Sequence, residues 1–177
     1  MIYVFLADGF EEMEAIVPTD ILKRARLEVK TVGVTSKNPV GAGGVRIECD
    51  LNIDEISENN LEGIILPGGM PGAENLFKSN KVKNLINYCF ENDKIIGAIC
   101  AAPMILGRMG LLRGKKACCY PGFENELTGA EVVDSRVCLD GKIVTGKGPG
   151  AALEFSLKLL EIFAGERATE IIRLSIQ

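Results

Sequence analysis

The 177 residues suffice for one domain spanning 1–177, because a chain of that size hides roughly 70% of its unfolded surface without needing a metal or disulfide staple. With 20 Lys and Arg against 24 Asp and Glu, a net charge of -4 and its basic residues scattered singly, the chain offers no cationic stripe for nucleic acid. It has no histidine, which excludes a Ser-His-Asp triad, a Cys-His protease dyad and histidine-ligated zinc or haem, and leaves proton transfer to carboxylate, thiol, lysine, tyrosine or water.

Apolar runs of strand length alternate with stretches of helical period. Ile2 to Leu6 predicts a first buried strand, and Glu11 to Arg26 a helix with Ala15, Ile16, Ile21 and Leu22 at core spacing and a bend at Pro18. Val29 to Val34 is the next strand, followed by a Gly-rich turn at Gly41 to Gly44 and a short piece around Val45 to Ile47. Glu62 to Leu66 predicts a strand, Val82 to Phe90 a helix, Ile95 to Ile99 a strand and Ala101 to Met109 a helix. Short strands are expected at Lys116 to Cys119, Glu131 to Val133, Val137 to Leu139 and Ile143 to Thr145, the last two joined by an Asp140-Gly141 turn. Helices from Ala151 to Phe163 and Arg167 to Leu174 close the chain. No apolar run reaches the roughly 18 residues that cross a bilayer, so no membrane partner is expected.

This alternation implies an α/β fold whose mostly parallel sheet is covered by helices on both faces. In such sheets ligands gather beyond the carboxyl ends of strands. Four strand ends therefore matter, those after Leu6, Leu66, Ile99 and Thr145.

The sharpest is Gly97-Ala98-Ile99-Cys100-Ala101-Ala102-Pro103, a cysteine between an apolar strand and a helix opened by small residues, as in a nucleophile elbow. A thiol there meets unpaired N–H groups and the positive end of a helix dipole, which favour the thiolate. Cys49, Cys89, Cys118, Cys119 and Cys138 lack that setting and read as buried packing residues. No C-x-x-C spacing is present, no metal is expected, and the thiols are expected free in a cytoplasmic protein, Met1 to Leu6 having no signal-peptide character.

Leu66-Pro67-Gly68-Gly69-Met70-Pro71-Gly72 can turn backbone N–H groups toward an anion. In Asp8-Gly9-Phe10-Glu11-Glu12-Met13-Glu14 most of the acids suit a helix N-terminus. Glu14, beside the apolar Ala15-Ile16 face, is the one placed to point inward, where burial would raise its pKa and let it share a proton with a thiolate. Gly146-Lys147-Gly148-Pro149-Gly150 matches no phosphate-loop pattern in full, although Lys147 brings a positive charge to that strand end.

Glu11-Glu12-Met13-Glu14, Leu66-Pro67-Gly68-Gly69, Ala98-Ile99-Cys100-Ala101-Ala102-Pro103 and Gly148-Pro149-Gly150, in that order, resemble the DJ-1/ThiJ/PfpI family, and within it the small glyoxalase and deglycase branch. The resemblance implies a flavodoxin-like three-layer sandwich, a homodimer, a reactive Cys100, a carboxyl partner at Glu14, backbone donors at Gly69 and Ala101 with Met70 beside them, and no cofactor. Protease and amidotransferase relatives carry histidine directly after the cysteine, where this chain has Ala101, so peptidase and glutaminase chemistry is not expected. Tyr120 occupies the place of another histidine near the cysteine, and a phenol is a poor base at neutral pH.

Two functions from different classes follow, beside a third reading as a non-catalytic structural homodimer. One is glutathione-independent conversion of methylglyoxal-type dicarbonyls, or of the early glycation adducts of proteins, by Cys100 and Glu14. The other is a redox sensor or stress chaperone in which Cys100 is oxidised to a sulfinate that Glu14 hydrogen-bonds.

Overall fold

The computed structural model describes residues 1–177. In chain order it contains β1 (Ile2–Leu6), α1 (Glu12–Arg24), β2 (Val29–Gly33), β3 (Leu51–Asn52), β4 (Gly63–Leu66), α2 (Gly72–Lys78), α3 (Asn80–Glu91), β5 (Ile95–Ile99) and α4 (Pro103–Arg108). Then come β6 (Lys116–Ala117), β7 (Glu131–Val132), β8 (Val137–Asp140), β9 (Ile143–Gly146), α5 (Ala152–Ala164) and α6 (Glu166–Ser175). Seven strands form one sheet in the order β3-β2-β1-β4-β5-β9-β8, and β6 pairs with β7 in a separate ribbon. All pairings in the large sheet are parallel except that of β8 with β9.

Side chains of a strand alternate between faces, and here both faces are buried, which is why the strands read as continuous apolar runs. Tyr3 and Phe5 of β1 join Ile64, Leu66, Ile96 and Ala98 in a core beneath α2, α3 and α4. Ile2, Val4 and Leu6 point the other way, with Ile65 and Ile99, into a second core formed with Ala15, Ile21 and Leu22 of α1, Phe155 and Leu159 of α5, and Ile172 of α6. The sheet is thus the middle of three layers.

The strand order reverses between β1 and β4, since the chain first winds outward from β1 to β2 and then returns to the other side of β1. That reversal opens a crevice at the carboxyl ends of the strands, flanked by the segments that follow β1, β4 and β5.

Several elements differ from the sequence expectation. No strand forms at Val45 to Ile47; Val40 and Arg46 make an isolated antiparallel bridge, and the edge strand is the two-residue β3. A β3 so short has no hydrophobic period to announce it, and its register follows from Asp50, whose carboxylate accepts from the Thr31 N–H at 2.8 Å. The helix α2 begins directly after Pro71, and no side chain caps it. The helix expected from Ala101 is the shorter α4, entered through a turn over 100–102. Strand β6 stops before Cys118, and α1 continues through Pro18, which has no N–H for the Glu14 carbonyl one turn earlier.

Phe155 fills the space left by two glycines: a methyl group on Gly97 would lie 3.0 Å from its ring, and one on Gly146 3.2 Å. Phe155→Ala is expected to lower unfolding free energy by about 3–5 kcal/mol in urea titrations, the usual cost of emptying an aromatic core site. Gly97→Ala should cost about 1–3 kcal/mol by overpacking the same contact.

Candidate active site

The segments after β1 and β4 pack backbone to backbone. The Glu11 N–H donates to the Gly68 carbonyl at 3.1 Å, and a methyl group on Gly69 would lie 2.5 Å from both Glu11 N and Gly9 O. Gly69 also has φ of 80°, in the left-handed region that favours glycine. This close approach carries the start of α1 beneath the Gly68-Gly69 turn.

The three glutamates at that helix start have three different fates. Glu11 caps the helix, its side chain accepting from the Glu14 N–H at 2.9 Å. Glu12 reaches outward and accepts from the Gly43 N–H at 2.7 Å, tying down the Gly-rich turn. Glu14 turns inward as expected, is 0% exposed, and its Oε2 accepts from the Gly68 N–H at 2.8 Å. Its Oε1 is buried with no partner of hydrogen-bond length.

Cys100 closes the other side. It has φ of 65°, a left-handed conformation that costs a residue with a Cβ roughly 1–2 kcal/mol. Two backbone hydrogen bonds hold it there: its N–H donates to the Gly146 carbonyl at 2.9 Å, and its carbonyl accepts from the Tyr120 N–H at 2.9 Å. The geometry is that of an elbow at the end of β5, with the residue only 8% exposed. A methyl group on Gly68 would sit 2.7 Å from Cys100 Cβ and 2.9 Å from Glu14 Oε2, so thiol and carboxyl meet across a gap that only glycine leaves open.

The electrostatics differ from the sequence expectation of an acidic thiol. Burial, and after it the adjacent Glu14 carboxylate, pushes the Cys100 thiol up to about 12, against the pull of the Gly69 and Ala101 N–H groups that face the sulfur. The helix expected to stabilise the thiolate starts three residues later and is only six residues long, less than two turns. Burial likewise lifts Glu14 from 4.5 to about 7, although the Gly68 N–H and the thiol hold it down. The pair competes for one proton. When that proton is on Glu14, the charge repulsion on the thiolate vanishes and the acid, now a hydrogen-bond donor, favours the thiolate instead.

The Gly69 and Ala101 N–H groups thus face the Cys100 sulfur, on which the Glu14 carboxylate also acts. Met70, next after Gly69, is 47% exposed, and Tyr120 contributes its backbone N–H while its ring, in a residue 45% exposed, packs over Gly148. Beside it a cavity of about 200 Å³ is lined by Tyr120, Arg136, Lys147 and residues 148–151. Lys147 is paired with Asp134 at 2.5 Å. Gly68 and Gly146 each lie in a run that the sequence marks at a strand end, Pro67-Gly68-Gly69 and Gly146-Lys147-Gly148, but that their backbones hold Glu14 and Cys100 is decided by the folded structure. No group of three or more His, Cys, Asp or Glu residues is arranged to hold a metal ion, and no helix is long and apolar enough to cross a membrane.

A model of the DJ-1/PfpI family matches residues 1–162. The chain is 40% identical over 166 residues to the Arabidopsis thaliana protein DJ-1 homolog B, covering 93% of this chain but 38% of that longer protein. It is 33% identical over 161 residues to the Caenorhabditis elegans glutathione-independent glyoxalase DJR-1.2, covering 90% of this chain and 86% of the relative. The oxidized Toxoplasma gondii DJ-1 structure superposes with a TM-score of 0.95 at 34% identity, over 99% of this chain and 96% of that one.

The raised Glu14 pKa has a sign that can be tested. Unfolded, this carboxyl ionises near 4.5; folded, near 7. Between those values the unfolded chain binds fewer protons, so wild-type stability falls as pH rises through the window and levels off above it. Glu14→Gln removes that loss, and its stability relative to wild type should improve by up to about 3 kcal/mol between pH 4 and pH 8 in denaturant titrations. The same variant should speed alkylation of Cys100 at pH 8 by removing the adjacent charge, whereas Glu11→Gln and Glu12→Gln should leave it nearly unchanged. Equal effects from all three would mean that only general acidity near the helix start matters.

Proposed function

The chain belongs to the DJ-1/PfpI family, and from that premise we propose that it is a cysteine-dependent, glutathione-independent glyoxalase acting on methylglyoxal-type dicarbonyls. The observation that carries this reading is the wholly buried Glu14 carboxyl, with one oxygen held by Gly68 and the other unpartnered, set against the Cys100 thiol. A carboxyl that is half protonated near neutral pH can both give and take a proton.

The steps follow from that pair. Glu14 takes the thiol proton, and Cys100 sulfur adds to the aldehyde carbon of methylglyoxal. The aldehyde oxygen, developing negative charge, is received by the Gly69 and Ala101 N–H groups and is then protonated, giving a hemithioacetal. Glu14 removes the proton from the former aldehyde carbon and returns it to the adjacent carbonyl carbon, while the hydroxyl proton on the first carbon's oxygen passes to the neighbouring oxygen, so that a C=O forms at the first carbon and an alcohol at the second. The product is the thioester of lactate. Water cleaves the thioester, releasing lactate and restoring the thiol. Apart from the hydrolytic water, the groups these steps use are side chains and backbone amides of this chain.

The 8% exposure of Cys100 favours small free dicarbonyls over bulky protein adducts, so deglycase action is the extension of this reading rather than its centre. The alternative, oxidation of Cys100 to a sulfinate, is favoured by one observation: the unpartnered Glu14 Oε1 is free to hydrogen-bond an oxygen on the sulfur. Assembly as a homodimer belongs to the same reading, supported by exposed Met13 and Ile16 on α1, Leu153 on α5 and Ile171 and Leu174 on α6.

Purified protein free of glutathione and metal is expected to convert methylglyoxal to lactate slowly, since a well-matched general base is worth about a hundredfold or more and Tyr120 is a poor one. Cys100→Ser and Glu14→Gln should each abolish lactate formation, and Tyr120→His should raise it. A reversible adduct without lactate, together with selective addition of two oxygens to Cys100 by peroxide, would replace the glyoxalase reading with the sensor.

A further inference from the structure

A second meeting of thiols lies beneath the elbow. Cys118 leaves β6 and crosses the β8–β9 hairpin, where its N–H donates to Thr145 Oγ1 at 3.0 Å and its sulfur sits 3.6 Å from the same oxygen. Thr145 is the register partner of Cys138 across the antiparallel ladder, and directly opposed residues put their side chains on one face. Cys138 is therefore carried to the side of the hairpin on which Cys118 lies. Its own N–H and the Ser135 hydroxyl face the Cys118 sulfur. Ser135 Oγ is buried and makes no hydrogen bond of ordinary length, and an orphaned buried hydroxyl calls for an acceptor.

Burial raises the Cys118 thiol, but two hydroxyls, an amide N–H and the more distant Lys147 charge all work to receive its anion. The two thiols also differ in access: Cys118 is buried, Cys138 partly exposed. One can meet an oxidant while the other waits behind it.

The pair is wired to Cys100 through the backbone. Tyr120, two positions after Cys118, donates the N–H that holds the Cys100 carbonyl, and Gly146, next after Thr145, accepts the Cys100 N–H. Both hydrogen bonds that maintain the left-handed Cys100 backbone thus issue from the segments that carry this thiol cluster.

We infer that Cys118 and Cys138 are a dithiol that hydroperoxides convert to a disulfide, and that this disulfide regulates the reactivity of Cys100. Cys138 sulfur attacks the peroxide O–O bond, giving a sulfenic acid and releasing an alcohol, or water when the oxidant is hydrogen peroxide. Cys118 sulfur then attacks Cys138 sulfur; the S–O bond breaks and the hydroxyl leaves as water with the Cys118 proton. Two electrons pass from the two thiols to the peroxide, and a dithiol reductant returns them. A disulfide fixes its Cα atoms about 4.4–6.8 Å apart with a defined Cβ geometry, so closing it ties the segment leading to Tyr120, the donor of the Cys100 carbonyl, covalently to β8. The regulatory half of the proposal rests on Cys100 being the reactive centre, whereas the pairing itself does not.

The full chain, treated with equimolar hydrogen peroxide, blocked with iodoacetamide in denaturant and digested without reductant, should yield a peptide pair joining the 118–119 region to Cys138, two hydrogens lighter than the free peptides. Dithiothreitol should release it, Cys119→Ala should retain it, and Cys118→Ala and Cys138→Ser should each lose it. Linkage of Cys138 to Cys119 or between two chains, or oxidation of Cys100 with Cys118 and Cys138 both alkylated, would overturn the pairing. In the native protein, forming the disulfide should change the alkylation rate of the remaining reduced Cys100 by about threefold or more, reversibly, and the Cys138→Ser variant should show no such change. An unchanged rate in the disulfide form would overturn the regulation. Neither readout uses methylglyoxal, so failure of the glyoxalase reading and failure of the dithiol are distinguished.

Discussion

The hydrogen bond from the Gly68 N–H to Glu14 Oε2 is the contact around which the crevice is organised. It exists only because the segments after β1 and β4 approach more closely than side chains allow, with Gly9, Gly68, Gly69 and Gly72 all in positions where a methyl group would lie 3.0 Å or less from a neighbouring backbone or side-chain atom. Enclosing a carboxyl with a single such bond costs free energy that a solvated one does not, and the lifted pKa of Glu14 is that cost expressed as proton affinity.

The elbow on the far side of the gap adds a second unfavourable element. A cysteine with positive φ persists where neighbouring structure over-determines it, and here the Gly146 carbonyl and the Tyr120 N–H do so from two separate segments. The result is a thiol and a carboxyl, both raised by burial, facing each other with a proton to share. Such a pair is suited to moving protons over short distances. It is less suited to presenting a permanent thiolate, for which the Gly69 and Ala101 N–H groups alone are not enough.

The same wiring explains why the hairpin edge of the sheet matters to a site several strands from its other edge. Strand β9 lies next to β5 and ends on the carbonyl that fixes Cys100, while the segment leaving β6 is tied to β9 through Thr145 before it reaches Tyr120. The hairpin and the elbow are thus joined by hydrogen bonds as well as by packing in the shared cores. The five cysteines other than Cys100 are all raised by burial, so differences in their reactivity come from access and from local donors.

Much of this protein was legible in its sequence. The doubly covered strands β1 and β5 announce themselves as unbroken apolar runs, the elbow as a cysteine between such a run and small residues, and the four motifs in order as a family likeness. What local pattern could not reach was decided by contacts between distant segments. Glu11, Glu12 and Glu14 are chemically alike at one helix start, yet one caps, one anchors the Gly43 turn and one is buried, because the turn at Gly43 and the turn at Gly68 lie on different sides of α1. The two-residue β3 and the short α2 are too brief to carry a period and form because neighbouring elements pair with or pack against them. The thiol of Cys100 shows the same division: sequence places it near a helix start, which favours the anion, but only the folded structure encloses it beside a carboxylate, and desolvation with a like charge outweighs a weak dipole three residues away.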